Sequence, residues 1–148
     1  MTLGARRNEA GELGIEVLAF GLLIFVTGTL LFVNGWAIVD AKLAAVAAAR
    51  EAARAYVESP DATVAETTAT IAAEDAVRGY NRDPAGTTVS FEQRSFGRCQ
   101  RVLVEVRTRS PLVRLPWIGQ AGTVTVIAHH SELIDPFRSG LPGTAVCA

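Results

Sequence analysis

The chain has 148 residues, with 14 basic and 15 acidic side chains and a formal net charge of −1. This near-neutral balance gives no support for nucleic-acid binding through bulk positive charge, so we expect no nucleic-acid partner. The length allows one small domain beside a membrane segment.

Residues 17–39 form an uncharged apolar run of about 23 residues, which is enough for an α-helix to cross a hydrocarbon core of about 30 Å. Glu16 stands directly before this run, and Glu12 lies one helical turn earlier. A carboxylate beside a membrane is costly, so Glu16 is either a functional group or simply the interfacial end of the span. We predict a transmembrane helix over about 17–39.

Four glycines recur every seven residues in this region, at Gly14, Gly21, Gly28 and Gly35. Seven residues make nearly two helical turns, so the glycines form one stripe that drifts by about 20° per repeat. Glycine lets helix backbones approach closely in lipid, although it is also common in membrane helices in general. The spacing favours a stripe for packing against other helices.

The apolar run continues into residues 41–57, which are rich in strong helix formers, and nothing interrupts the pattern before Ser59 and Pro60. We therefore predict one helix over 12–58. Its second half is amphipathic, and the residues expected to face a core are Leu43, Val46, Ala47, Ala53 and Val57. Asp61 is placed to cap the helix that follows.

The remaining residues, 59–148, indicate a small α+β domain. A second helix is predicted over 62–79, with one buried face formed by Val64, Thr67 or Thr68, Ile71 and Val77. Alternating apolar residues predict antiparallel strands over 87–94, 100–108 and 123–130, in a sheet of three to four strands. The segment between the last two strands is long for a hairpin, so we expect an apolar contact loop or a cover over the core.

Two cysteines, Cys99 and Cys147, both follow the apolar run. If that side of the chain lies outside the cytoplasm, one disulfide between them is the natural use. The alternative is two unrelated free thiols.

No pattern in the chain indicates catalysis. His129 and His130 are adjacent, and neighbours on a strand point to opposite faces, so they cannot share one metal ion without irregular backbone. The sequence also has no nucleophile elbow, no CxxC pair and no phosphate-binding glycine loop. We expect no enzyme, no cofactor, no metal site and no small-molecule substrate.

The residues before the apolar run resemble a prepilin-peptidase signal. Two arginines precede Gly11, and Glu16 would be the fifth residue of a chain cut between Gly11 and Glu12. Such a signal is cut on the near side of the apolar helix, which therefore stays with the protein, unlike a secretory signal.

Three stretches together resemble the TadE-like proteins of tight-adherence (Flp, type IVb) pilus systems: GELGIE, the helical AAREAARAYV and the strand-like TVTVIAHHSELIDPFR. The alanine and arginine bias is also typical of high-GC bacteria such as actinobacteria. The resemblance covers most of the chain and implies a minor pilin or pseudopilin, processed by a prepilin peptidase. It also implies that Glu16 pairs with the new amine of Glu12 on a neighbouring subunit.

The resemblance implies a single-pass cell-membrane protein with residues 1–11 as a cytoplasmic leader and the C-terminal domain outside the cytoplasm. Its partners would be the membrane, the peptidase, other pilin-like subunits and the pilus assembly machinery. The basic residues flanking the span do not by themselves choose this orientation. An uncleaved, membrane-anchored extracytoplasmic binding or sensor module is the alternative. A secreted hydrolase fits less well, because the helix continues past the span and no catalytic group is evident.

Overall fold

The first helix, α1, runs from Glu12 to Glu58 and has 47 residues. It belongs to a computed structural model that describes residues 12–93 and 95–147, with side chains from residue 16 onward. Pro60 lacks an N–H and disfavours helical geometry in the residue before it, so the helix ends where the sequence predicts. The predicted long N-terminal helix is confirmed.

The chain divides into two compact units, which we call unit 1 (Met1–Trp36) and unit 2 (Ala37–Ala148). The described part of unit 1 is the apolar first part of α1. Unit 2 contains the rest of α1, a second helix and the sheet. The last three residues of α1's apolar run, 37–39, and its alanine-rich continuation therefore belong with the globular part.

The second helix, α2, spans Ala62–Gly79 and agrees with the predicted bounds. Asp61 has extended backbone geometry, and its carboxylate accepts hydrogen bonds from the amides of Thr63 and Val64. The Thr63 hydroxyl also donates to it, and this bond, followed by the backbone bonds, lowers the pKa of Asp61. Asp61 therefore caps α2 as expected.

Three strands form one antiparallel sheet in the order β1–β2–β3. They are Thr87–Glu92 (β1), Arg101–Leu115 (β2) and Gly119–Leu133 (β3), and a short 3-10 turn at Pro84–Gly86 precedes them. The α+β class is confirmed, with three strands. Arg94, at the end of the first predicted strand, lies outside the described residues.

The expectation of a loop between the last two strands is wrong. Residues 109–115 and 119–122 extend β2 and β3 beyond the predicted strands, so the two strands form one long hairpin closed by three residues. Pro111 does not end β2, because β1 stops pairing at Thr108 and leaves that side of β2 without a partner strand. The sequence pattern did not predict this continuation of the strands, because the alternation of apolar and polar residues weakens where the strands are no longer buried.

The core of unit 2 is built on alanine. Helix α1 contributes small residues and one tyrosine, α2 contributes three alanines and Val77, and the sheet contributes valines and one alanine. The buried members are Ala41, Ala45, Ala48, Ala49, Ala52, Ala53, Tyr56, Ala65, Ala69, Ala73, Val77, Val102, Val104, Val106, Val126 and Ala128.

The predicted buried face of α2 is therefore largely wrong, whereas that of α1 is wrong for its largest member, Leu43. Leu43 is 51% exposed, and Val64 and Ile71 on α2 are 40% and 54% exposed. Of the residues named for α1, Ala53 is buried, and Val46 and Val57 are partly buried against the core. Small side chains let the elements approach closely, so the alanine stripe, rather than the larger apolar residues, faces inward.

The C-terminal tail is tied to the rest of unit 2. Cys99 and Cys147 form a disulfide across 48 residues of sequence, with their Cα atoms 5.1 Å apart. The Arg98 amide donates to the carbonyl of Pro142 at 2.8 Å, which fixes the tail beside the segment that precedes β2. The expected disulfide is present.

Candidate functional site

The first part of α1 is apolar on all sides and largely exposed. Most of its large side chains are more than half exposed, including Val17 at 69%, Phe25 at 71% and Phe32 at 71%, whereas Leu30 is partly buried. Its most apolar window of 18 residues has a mean hydropathy of 2.3, and none of that window is buried. A helix that is hydrophobic all round suits a lipid environment, and this one is long and apolar enough to cross a membrane.

Two polar side chains of this segment donate hydrogen bonds to the preceding turn of the helix. The Thr29 hydroxyl donates to the Phe25 carbonyl at 2.8 Å, and the Asn34 amide donates to the Leu30 carbonyl at 2.8 Å. Lipid offers no partner for such groups, so bonding back to the preceding turn lowers the cost of placing them there.

Glu16 is exposed and stands at the boundary of the uncharged run. Glu12 is the first residue of α1, but its side chain lies outside the described side chains, as do the surroundings of Gly14. Gly11 lies outside the described residues altogether. The proposed cut between Gly11 and Glu12 and the pairing of Glu16 therefore stay predictions.

The other three glycines of the stripe lie on open helix surface. A methyl group built on Gly21, Gly28 or Gly35 would meet no atom within 4 Å. Close packing against the described part of the chain requires none of the three, so their small size leaves a shallow helix face of the kind that another helix packs against. Whether a neighbouring helix uses it stays a prediction.

Where unit 2 begins, Arg82 joins α1 to the sheet. Its guanidinium donates to the carboxylate of Asp40 at 3.0 Å, to the carbonyl of Ala37 at 2.7 Å and to the Ser110 hydroxyl at 3.2 Å. The arginine side chain is only 15% exposed. Lys42 also donates to the carbonyl of Ile127 on β3. These bonds hold β2 and β3 beside the first residues of unit 2.

Arg138 holds the opposite end of α1. Its guanidinium donates to the carbonyls of Val57, Glu58 and Ser59, which are left without helical partners where α1 ends. A cation at this position also complements the helix dipole. The sequence did not predict the contacts of Arg82 and Arg138 with α1, because no local pattern links an arginine to a helix 40 or more residues away in the chain.

The hairpin between β2 and β3 ends in an exposed apolar tip. Trp117 is fully exposed, Ile118 is 81% exposed and Leu112 is 44% exposed. Trp117 has a φ of 62°, a left-handed conformation that bulky residues rarely adopt. The sequence reading found these apolar residues but assigned them to a loop.

The residues considered for chemistry do not assemble. His129 is exposed, with its Nδ1 atom 3.5 Å from a carboxylate oxygen of Glu105. Among residues 12–93 and 95–147, no group of three histidine, cysteine, aspartate or glutamate side chains is placed to hold a metal ion. Cys99 and Cys147 are both in the disulfide and line an open recess of about 620 Å³ with Glu92 and Arg101.

Among the described residues, the candidate functional features are surfaces: the apolar helix with its glycine stripe, and the hairpin tip. Comparisons with protein-family models, with curated proteins and with solved structures gave no match.

Proposed function

We propose that this chain is a minor pilin or pseudopilin of a bacterial tight-adherence pilus, a structural or assembly component and not an enzyme. The first part of α1 crosses the cell membrane once, with its N-terminus in the cytoplasm and unit 2 outside. A prepilin peptidase cuts between Gly11 and Glu12, and the chain then assembles with other pilin-like subunits and the pilus assembly machinery.

One observation carries most of this proposal. A largely exposed apolar helix follows a pilin-like signal, and Glu16 stands five residues after Gly11 at the helix's apolar edge. The open glycine face at Gly21, Gly28 and Gly35 supports helix packing with other subunits. The disulfide supports an oxidising, extracytoplasmic location for unit 2.

A second candidate is the uncleaved membrane anchor of a binding or sensor module. Glu12 favours it, because an acidic residue directly after the proposed cut is unlike the apolar or small residue of many pilins. Intact-mass measurement of the membrane-extracted protein separates the two. An N-terminus at Glu12 supports the minor pilin or pseudopilin, whereas retention of residues 1–11 supports the uncleaved membrane-anchored module. A cut beyond residue 39 would refute both.

We expect Glu16→Ala to insert in the membrane and to be cleaved but to assemble poorly. A carboxylate near lipid costs up to about 3 kcal/mol on insertion scales, and the ammonium group of a neighbouring subunit offsets that cost in the assembled state. The measurement is the fraction of cleaved protein recovered in sheared pili or in crosslinked subunit complexes. Glu51→Gln, which removes an exposed charge from the same helix, is the control. Normal assembly of Glu16→Ala would contradict the pairing.

A further inference from the structure

Helix α2 carries a second stripe on its outer side. Val64, Thr67 and Ile71 follow one another at helical spacing, and all three are exposed. A stripe of apolar side chains on a helix normally packs against another element. The alanines of α2 fill the core of unit 2 instead, so the larger side chains of this stripe are left at the surface.

This stripe forms one wall of an open groove of about 390 Å³, and β1 forms the other wall. We call it the α2–β1 groove. It is lined by Glu66, Thr67, Thr70, Ile71, Val89 and Phe91. The three largest of these side chains are apolar, and the one ionisable group is a carboxylate. The groove is therefore suited to an apolar segment that carries positive charge nearby.

Strand β1 adds a backbone edge to this groove, because it is an outer strand in the order β1–β2–β3. The Ile134 amide donates to the Gln100 carbonyl at 2.9 Å. By the alternation of an antiparallel ladder, the even-numbered residues of β2 then bond to β3 and the odd-numbered ones to β1. Val89 and Phe91 stand opposite even-numbered residues of β2, so their N–H and C=O groups point away from the sheet. Such an edge is a template for one more strand.

The β2–β3 hairpin of the same chain is an extended apolar projection from unit 2. Burial along β2 ends at Ser110, and β1 pairs no further than Thr108. Five residues of β2 follow Ser110, so the ribbon extends about 17 Å before its turn. Trp117 and Ile118 stand exposed in that turn. Tryptophan is the residue type most enriched among anchors of protein interfaces.

The hairpin tip is out of reach of the groove on its own chain. Val106 of β2 lies opposite Val89 in the groove wall. Leu115, where β2 ends, is nine residues further along the strand, about 30 Å at strand spacing. The two strands stay paired as far as Leu115 and Gly119, which keeps the ribbon extended. A contact between a tip and a groove therefore joins two copies of the chain.

The two surfaces also carry opposite charge. Residues 61–78, which include α2, contain four acidic residues and one arginine. The projecting part of the hairpin, residues 109–125, contains two arginines and no acidic residue. Glu66 is exposed in the groove lining, and Arg109 is exposed on the hairpin. Opposite potentials favour encounter of these two surfaces over encounter of either surface with itself.

We propose that the hairpin tip of one copy docks in the α2–β1 groove of a second copy, with Trp117 and Ile118 against Ile71 and Phe91 and a hairpin strand beside β1. The β3 side of the hairpin suits this pairing, because Pro111 removes an N–H from the outer edge of β2. Each copy has one tip and one groove, so the contact is heterologous and continues from copy to copy as an open chain. The inference rests on the proposed pilus-subunit function and names a contact between its subunits.

The test uses the full chain, reconstituted in phospholipid vesicles as a mixture of isotopically heavy and light copies. The heavy copy carries the photoreactive p-benzoylphenylalanine in place of Ile118, and mass spectrometry maps the crosslinks between heavy and light peptides. We expect crosslinks from the heavy tip to residues 62–79 or 87–92 of the light copy. Crosslinks only to lipid, only to the other tip or only within one chain would overturn the proposal, as would an absence of crosslinks.

Substitutions then test the tip and the groove separately. Ile71→Lys in the light copy should lower the crosslink yield about tenfold or more, as expected for an anchor position of an interface. Phe137→Lys, which changes an exposed apolar residue outside the groove lining, is the matched control. Trp117→Asn should lower the yield in the heavy copy and leave it unchanged in the light copy, because the light copy supplies the groove. Asparagine tolerates the left-handed backbone at this position. Equal losses in both copies would indicate contact between two tips and would rule out the groove.

The charge complementarity has its own pair of variants. Glu66→Lys in the light copy should lower the yield several-fold, and added salt should reduce this effect by screening. Asp75→Lys reverses a charge on the same helix outside the groove lining and should change the yield less. Equal losses in these two variants would contradict docking in the groove. Intact mass of the protein before reconstitution reports cleavage after Gly11, so crosslinks from an uncleaved chain would support the contact and count against the pilin, and cleavage without crosslinks would do the reverse.

Discussion

At the scale of single residues, long-range contacts of arginine hold unit 2 together. Arg82 reaches Asp40, Ala37 and Ser110, and Ser110 is a polar side chain that is only 1% exposed. A buried hydroxyl that loses its partner costs more than the bond itself contributed, because its desolvation is then uncompensated. Arg82 therefore has a larger effect on stability than its position in a turn indicates.

We expect Arg82→Met to lower the free energy of unfolding by about 1–3 kcal/mol, measured by urea denaturation of the detergent-solubilised protein. Arg78→Met is the control, because Arg78 pairs with Glu74 and Asp75 on the exposed surface of α2. Exposed pairs contribute little, so the control should unfold close to wild type. Equal loss in both variants would contradict a special role for Arg82.

Tyr56 gives unit 2 a dependence on alkaline pH. Its ring packs against Phe91 and Phe96 at centroid distances of 5.4 and 5.7 Å, and its hydroxyl donates to Gln93. Burial raises the pKa of Tyr56, because the low-dielectric surroundings disfavour the phenolate, and the charge of Glu66 adds to this effect.

The direction of this pH dependence follows from the fact that the folded state buries Tyr56 in its neutral form. Because the pKa of Tyr56 is higher in the folded state, the contribution of the buried phenol to folding stability is present in full below its unfolded-state pKa of about 10. That contribution is lost as the pH rises through the folded-state pKa. Tyr56→Phe should remove this part of the alkaline destabilisation, at a cost of about 1 kcal/mol at neutral pH for the lost hydrogen bond. Urea midpoints from pH 7 to alkaline pH measure it, with the exposed Tyr80→Phe as control. Parallel wild-type and Tyr56→Phe curves would contradict the prediction.

At the scale of elements, the packing of α1 and α2 depends on small residues. Ala65, Ala69 and Ala73 are fully buried on α2, while Ile71 on the same helix is 54% exposed. Hydropathy alone ranks isoleucine above alanine for the core, and this ranking produced the wrong buried face. Dense packing decides the matter, since the alanines of α2 fit into the same buried cluster as the alanines of α1.

Two substitutions on α2 test this arrangement: one enlarges a buried alanine and the other shortens an exposed isoleucine. Ala69→Leu should destabilise unit 2 by about 1–3 kcal/mol, because a tightly packed interface has no room for the larger side chain. Ile71→Ala should change stability by no more than about 0.5 kcal/mol, because the side chain it removes is largely exposed. Thermal unfolding followed by circular dichroism measures both. A larger loss for Ile71→Ala than for Ala69→Leu would show that the packing differs from this description.

At the scale of the whole molecule, the disulfide joins the irregular tail to the segment before β2. It closes a loop of 48 residues. In the chain-entropy model such a loop restrains the unfolded chain by about 4 kcal/mol. The tail also has few large buried side chains of its own, Ile134 being the one that is fully buried among the described tail residues. The tail is therefore expected to depend on the bond.

Reduction should lower the stability of unit 2 by up to about 4 kcal/mol. The measurement is the urea midpoint with and without a thiol reductant. A double variant with Cys99→Ser and Cys147→Ser should match the reduced protein and should not respond to the reductant. A response of the double variant would show that the reductant acts elsewhere, and no response of wild type would contradict the predicted contribution.

The sequence by itself determined the structural features that depend on residues close together in the chain. It located the apolar segment over 17–39, the end of α1 at Ser59 and Pro60, the bounds of α2 and the presence of an antiparallel sheet. These follow from local composition, from backbone restrictions at proline and from periodicity. The disulfide was also within reach, because only two cysteines exist and both follow the apolar segment.

Only the tertiary structure decided which surfaces meet. It buried the alanines of α1 and α2 and left Leu43 and Ile71 exposed, it extended β2 and β3 into a projecting hairpin, and it brought Arg82 to Asp40 and Arg138 to the end of α1. Each of these depends on contacts between residues far apart in the chain, whose free energies come from packing distance and from polar groups finding partners. Local periodicity carries no information about either.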